Sequence, residues 1–239
     1  MKISDISTPA LILEKGTFEK NLSKMKELVE KYGIMLRPHY KSNKCPYIAK
    51  KQIELGAVGV CCAKLGEAFD LVDNGVENVL IANEIVTEKK IKDMAHLAKR
   101  AKLTVLVDSI ENANNIEKAL TEADSFMSCY AELDTGMNRC GGNVEETVEL
   151  SLWIKNNLKR LSLEGIQAYA GHLSHEKDGE KRCREAEGVI NKVKEVVTAL
   201  KEKGIEVPVV SGISTGTLED KAPYKVYNEA QLYFFGFVL

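Results

Sequence analysis

The sequence predicts an α/β protein built as a closed (β/α)8 barrel. Eight short runs of apolar and often β-branched residues recur along the 239 residues, and longer segments with helical periodicity lie between them. Such alternation is typical of βαβ units and a parallel sheet. Eight strands in one domain of this length favour a barrel, although an open, doubly wound sheet has the same pattern.

The predicted elements follow one another in a regular order. The strands are residues 34–36, 58–62, 79–81, 103–107, 126–133, 163–168, 207–210 and 232–235. The clearest helices, with apolar residues about every 3.6 positions, are residues 22–31, 46–55, 65–74, 89–100 and 178–203. Gly56, Gly75 and Gly204 follow three of these helices, where a left-handed residue often ends a helix.

Composition narrows the class of protein. The 33 basic and 35 acidic residues nearly cancel, so charge gives no reason to expect nucleic acid or a membrane as a partner. Residues 1–9 are polar and do not resemble a signal peptide. The six cysteines contain no C-x-x-C pair, so we expect reduced thiols in a cytoplasmic protein and no metal held by cysteine.

The most informative segment, residues 36–44, reads LRPHYKSNK. It places Lys41 just beyond the first predicted strand, on the side where barrel enzymes carry their active sites. A lysine there can point into the barrel mouth and form a Schiff base with an aldehyde cofactor. The ordinary alternative is a surface lysine whose stem keeps the ammonium group in water.

Other strands are also followed by side chains capable of chemistry. Glu84 ends the third strand, Arg139 follows the fifth, and Tyr169 and His172 follow the sixth. The small residues at 211–217 could let backbone N–H groups and hydroxyls approach a phosphate. Each feature has a structural alternative, such as a surface ion pair, a core aromatic or a simple turn. Their occurrence at successive strand ends favours a functional site.

Seven segments, taken in this order, resemble a known family: residues 8–13, 36–44, 56–68, 78–84, 134–141, 167–172 and 211–217. The family is that of D-threonine aldolase and D-serine dehydratase. Its members are pyridoxal-phosphate enzymes of alanine-racemase-like fold, in which an N-terminal (β/α)8 barrel holds the cofactor. The resemblance therefore implies the same barrel, over residues 1–239, and pyridoxal 5'-phosphate as cofactor.

The resemblance also implies roles for individual residues. Lys41 would hold the cofactor covalently, and it would be catalytic together with His172, which would assist deprotonation of the substrate's β-hydroxyl. His39, Arg139 and Tyr169 would lie around the cofactor. The cofactor's phosphate would be bound by the loop after the seventh strand, at Ser211, Gly212, Thr215, Gly216 and Thr217.

The reaction implied is that of a lyase on D-β-hydroxy amino acids. Retro-aldol cleavage of D-threonine to glycine and an aldehyde is favoured over dehydration of D-serine. A non-catalytic, single-domain carrier of pyridoxal phosphate is an alternative that the length suits, although His39 and residues 61–67 resemble the aldolases. An inactive remnant of the family is a third alternative. A homodimer is a further possibility.

Two departures from the family pattern affect these expectations. The family's phosphate loop is richer in glycine, whereas Ile213 and Ser214 occupy it here, and a β-branched residue disfavours positive φ. The sequence also stops at Leu239, before the family's second, β-rich domain, which carries divalent-metal ligands. We therefore expect no metal ligand in residues 1–239, and manganese or zinc only where that domain is supplied.

Overall fold

A computed structural model describes residues 3–10, 12–213, 217 and 224–232. In these ranges eight strands and seven α-helices alternate. The strands are β1 (Met35–Leu36), β2 (Val60–Cys62), β3 (Asn78–Glu84), β4 (Lys102–Val107), β5 (Met127–Glu132), β6 (Leu161–Gln167), β7 (Val209–Ile213) and β8 (Glu229–Ala230). The helices are α1 (Lys15–Tyr32), α2 (Pro46–Glu54), α3 (Leu65–Asp73), α4 (Glu88–Leu97), α5 (Ile110–Ala123), α6 (Val144–Asn157) and α7 (Gly179–Glu202).

The strands form one parallel sheet that closes on itself. Its order is β1-β8-β7-β6-β5-β4-β3-β2. The backbone N–H of Val58 donates to the carbonyl oxygen of Leu36 at 2.9 Å, and that of Cys61 donates to Pro38 at 2.8 Å. These two bonds join the ends of the sheet between β1 and β2. The predicted (β/α)8 barrel is confirmed.

Helix ends follow the local sequence. Gly56, Gly75 and Gly204 have φ angles of 102°, 82° and 75°, so all three take the left-handed conformation predicted for them. At the start of α6, the Asn143 side chain accepts from the backbone N–H of Glu146, whose carboxylate accepts from the N–H of Asn143. This reciprocal pair satisfies two of the N–H groups that a helix start leaves free.

The eighth strand differs from the prediction. It lies at Glu229–Ala230 rather than at residues 232–235, of which 233–235 fall outside the described residues. The apolar pattern missed it because Glu229 and Gln231 are polar, although they are 1 % and 4 % exposed. Helices α5 and α6 have a less regular apolar pattern in the sequence than the helices named above. Buried polar residues such as Asn112 and Ser151 interrupt the apolar face of each helix.

Two layers of packing surround the strands. The larger core lies between the sheet and the surrounding helices. A smaller apolar cluster, formed by Cys61, Leu80, Leu106 and Tyr130, lies apart from it. These four residues come from β2, β3, β4 and β5, and alternate positions along a barrel strand point to opposite faces of the sheet. They therefore fill part of the barrel interior.

The rest of the barrel interior is polar and hydrogen-bonded. Arg37 Nε donates to Glu229 Oε2 at 2.8 Å, and both side chains are almost fully buried. A second guanidinium nitrogen of Arg37 donates to Asn78 Oδ1 at 3.0 Å. The hydroxyl of Ser211 donates to the other oxygen of Glu229 at 2.8 Å and accepts from Gln231 Nε2 at 2.9 Å. This network connects β1, β3, β7 and β8.

Two further observations concern the cysteines and the length of the helices. All six cysteines lie within the described residues, and each is a free thiol, as predicted. Within the described ranges, no helix combines the length and the apolar character needed to cross a membrane.

Replacing Arg37 by alanine should strongly destabilise the barrel, because it leaves the buried carboxylate of Glu229 without its cation. Breaking such a pair typically costs about 3–5 kcal/mol. Arg100 forms a pair with Asp73 in which both side chains are at least half exposed, so Arg100→Ala should cost less than about 1 kcal/mol. Urea unfolding followed by circular dichroism measures both values. Equal losses in the two variants would show that the interior pair does not hold the barrel together.

Candidate active site

A cavity of about 240 Å³ opens at the carboxyl ends of the strands, where (β/α)8 barrels carry their active sites. Its volume is slightly below the range for drug-sized ligands and suits a small compound. The lining residues lie at or after the carboxyl ends of six strands, β1, β2, β3, β5, β6 and β8: His39, Lys41, Ala63, Lys64, Ala82, Asn83, Arg139, Gln167, Tyr169 and Gln231. A larger groove between α6 and α7 contains none of these strand-end residues.

Lys41 lines this cavity from a single turn of 3-10 helix, Tyr40–Ser42, that follows β1. Two hydrogen bonds anchor the turn. The Tyr40 ring is 1 % exposed, and its hydroxyl donates to the carboxylate of Asp70 in α3. The backbone N–H of Lys41 donates to Nδ1 of His39 at 3.3 Å. The lysine side chain is thus attached to a fixed piece of backbone.

His39 is a buried, neutral histidine. It is 6 % exposed, and its backbone forms an isolated parallel β-bridge with that of Cys61, where the ends of the sheet meet between β1 and β2. Burial and the nearby charges of Lys41 and Arg139 lower its pKa to about 3. Because Nδ1 accepts a hydrogen bond, the proton of the neutral ring lies on Nε2.

Arg139 lies in the loop after β5, which is held by a carboxylate. Asp134 Oδ1 accepts from the backbone N–H of Gly136 at 2.9 Å and from that of Asn138 at 3.0 Å. The guanidinium carbon of Arg139 is 5.7 Å from the centroid of the Tyr169 ring, within the range of a cation–π contact. The structure therefore brings Arg139 and Tyr169 together at the cavity.

The predicted phosphate loop is only partly described. Ser211 is fully buried, and its hydroxyl belongs to the interior network with Glu229 and Gln231 rather than to the lining of the cavity. Gly212 has a φ of 148°, and a Cβ there would lie 2.3 Å from the carbonyl oxygen of Ala168. Thr217 is buried, while Thr215 and Gly216 lie outside the described residues. Phosphate binding by this loop stays a prediction.

His172 follows β6 in a 3-10 helix, Gly171–His175, and does not line the 240 Å³ cavity. Its Nδ1 atom is buried and has no hydrogen-bond partner among the described residues. A buried ring nitrogen without a donor is unusual and calls for an explanation. The catalytic role of His172 stays a prediction.

The predicted site residues do not include Lys64, Gln167 and Gln231, which also line the cavity. Lys64 follows β2 by two positions, so the strand-end rule could have found it. Gln167 ends β6, and its amide interacts with Gln231 at 2.7 Å. Gln231 could not be placed while the eighth strand was assigned to residues 232–235, because that register puts it in a loop.

A closed parallel barrel with a basic cavity at its strand ends defines a (β/α)8-barrel protein that can hold a small anionic compound. Its family follows from comparison with known proteins. The model of the alanine racemase N-terminal domain matches residues 14–232, so the chain belongs to that family. The resemblance inferred from the sequence motifs is confirmed.

Individual relatives are more specific. The chain is 34 % identical over 232 residues to a D-threonine aldolase from Arthrobacter sp.. That alignment covers 96 % of this chain and 60 % of the relative. It is 35 % identical over 233 residues to a 3-hydroxy-D-aspartate aldolase from Paracoccus denitrificans, covering 97 % and 60 %. The crystal structure of D-threonine aldolase from Filomicrobium marinum is similar over 99 % of this chain and 64 % of that one, with 37 % identity and a TM-score of 0.93. The chain thus spans about 60 % of the length of these curated relatives.

His39 should make the protein less stable as the pH falls. The unfolded chain binds its imidazole proton near pH 6.5 but the native protein only near pH 3, so between these values the unfolded state binds more protons. Lowering the pH from 7.5 to 5 should therefore remove about 2 kcal/mol of stability through this one group.

Urea unfolding of the native protein and of His39→Gln at both pH values measures this contribution. The variant should lose about 2 kcal/mol less on acidification. His96→Gln is the matched control, because His96 is exposed on α4 and should leave the native pH dependence unchanged. Identical pH dependence in all three proteins would contradict the assignment of a low pKa to His39.

Proposed function

We propose that this chain binds pyridoxal 5'-phosphate in the strand-end cavity and acts as a lyase on D-β-hydroxy amino acids, with D-threonine aldolase-like cleavage as its reaction. One observation carries the proposal. Lys41 and His39, Arg139, and Tyr169 come from three well-separated segments of the sequence and line a single cavity of about 240 Å³. The aldolases named above support the choice of reaction, because their names give D-threonine and 3-hydroxy-D-aspartate as substrates.

The residues of the cavity fit this cofactor. The ten lining residues include three cations, Lys41, Lys64 and Arg139, and no carboxylate. Such a lining attracts an anion that carries a phosphate and a phenolate oxygen. The neutral His39 ring and the Tyr169 ring offer flat surfaces beside it.

Pyridoxal phosphate, when bound, supplies an electron sink for the charge that develops at the substrate's Cα. Lys41 contributes its Nζ amine as the covalent partner of an aldehyde, and the same nitrogen can carry a proton when it is free. The guanidinium group of Arg139 can only donate hydrogen bonds, so a ring nitrogen or phenolate facing it accepts one. Its contact with Tyr169 and with Glu132 keeps the guanidinium at the cavity.

The choice of which bond breaks needs a base near the substrate's β-hydroxyl. Nδ1 of His172, which has no partner among the described residues, is able to accept such a proton. Dehydration is the second candidate reaction, because the chain is also 27 % identical to a D-threo-3-hydroxyaspartate dehydratase from Delftia sp.. Both reactions use the same binding site. A homodimer and a cytoplasmic location stay predictions.

Lys41→Ala should abolish covalent binding of the cofactor. Protein incubated with pyridoxal phosphate and then reduced with borohydride should keep the label after denaturation, on the peptide that contains Lys41. Lys64→Ala is the matched control, because Lys64 lines the same cavity and should leave the label in place. If Lys41→Ala is still labelled on the corresponding peptides, the proposed anchor is wrong.

The purified protein with bound cofactor should release acetaldehyde from D-threonine, measured with and without added manganese or zinc, while pyruvate from D-serine reports the alternative reaction. His172→Gln should lower the rate at least a hundredfold with labelling of Lys41 retained. His175→Gln, at an exposed position in the same turn, should have little effect. Cofactor binding with neither product formed would favour the non-catalytic carrier.

A further inference from the structure

We propose that Glu84, Asp108 and Cys140 form a binding site for a divalent cation, best suited to Zn²⁺, with Glu132 as its buried supporting carboxylate. The site lies beside the strand-end cavity and shares none of its lining residues. The inference does not depend on pyridoxal phosphate. It departs from the expectation that no residue of this chain holds a metal.

The barrel brings the three ligands together from distant positions in the sequence. Glu84 is the last residue of β3, Asp108 directly follows β4, and Cys140 lies in the loop after β5. One ligand atom from each lies within 4.8 Å of the other two. Tetrahedral zinc ligands lie about 3.5 Å apart, so shifts of less than about 1 Å complete the geometry.

A second observation points to a ligand at this place. The Glu132 side chain is 5 % exposed, yet its Oε2 atom has no hydrogen-bond partner among the described residues, and neither has Oε1 of Glu84. The two carboxyl groups are close enough to share a hydrogen bond. A buried carboxylate that faces a second, half-buried one with no donor between them needs a proton or a cation.

The charge balance fits a divalent ion. Glu84, Asp108, Glu132 and a Cys140 thiolate carry four negative charges when ionised, and Arg139 supplies one positive charge at 3.5 Å from Oε1 of Glu132. One divalent cation would reduce the net charge from −3 to −1. The backbone N–H of Gly141 also approaches Oδ2 of Asp108, at 3.5 Å, which ties the carboxylate to the loop that carries Cys140.

The ligand types indicate which ion is preferred. A thiolate with two carboxylates suits a borderline-soft ion such as Zn²⁺ better than Mg²⁺ or Ca²⁺, which prefer oxygen ligands alone.

Titration of the chelator-treated, cofactor-free protein with Co²⁺ tests the site. A near-ultraviolet sulfur-to-cobalt band should grow to one equivalent and should disappear when Zn²⁺ is added. Cys140→Ser should abolish the band, and Asp108→Asn should weaken Co²⁺ binding at least tenfold. Cys183→Ser is the matched control, because Cys183 is also half-buried but lies on α7.

Three results would overturn the proposal: no band in the native protein, a band that survives Cys140→Ser, or a band lost in Cys183→Ser. The first would mean that Glu84 and Glu132 share a proton instead. Should Cys140→Ser fail to fold by circular dichroism, Glu84→Gln provides a second variant, with the same expected loss of Co²⁺ binding. Added Zn²⁺ should also raise the midpoint of thermal unfolding of the native protein and not of Asp108→Asn.

Discussion

The buried ion pair between Arg37 and Glu229 is the interaction on which the barrel depends. It crosses the pairing of β1 with β8, two strands of only two residues each, where few backbone hydrogen bonds are available. Asn78 and Ser211 extend the pair to β3 and β7. His39 and Lys41 follow β1 directly, so the position of the proposed cofactor-binding lysine rests on the same pair. The buried ion pair thus stabilises the short β1–β8 pairing, which lies next to the proposed cofactor-binding site.

Much of the fold could be predicted because strands of a parallel barrel are buried on both faces and give apolar runs. The same rule explains the failure at β8. There the interior is polar, and a buried carboxylate such as Glu229 cannot be told from a surface one before its partner Arg37 is in place. Helix α6 gives only a weak helical pattern in the sequence for a related reason. Its residues Thr147 and Ser151 are buried but resemble solvent-facing residues in sequence.

Those residues of the candidate site whose position depends only on the barrel architecture could be predicted from the sequence. A barrel brings the carboxyl ends of its strands together, so Lys41, Arg139 and Tyr169 meet at one cavity. Side-chain direction is not predictable in this way. Ser211 points into the interior network and His172 lies outside the cavity lining, because the local backbone after β6 and within β7 turns them there. Asp108 carries no recognisable motif and becomes notable only beside Glu84.

The close approach of Gly212 to the carbonyl of Ala168 has a consequence for how this chain can vary. Hydrogen is the largest substituent that the α-carbon can carry there, since any side chain would push β7 away from β6. Saturation mutagenesis at this codon, scored by soluble expression, should return only the wild-type residue. Substitutions in the neighbouring loop, whether natural or engineered, must therefore begin at the position after Gly212.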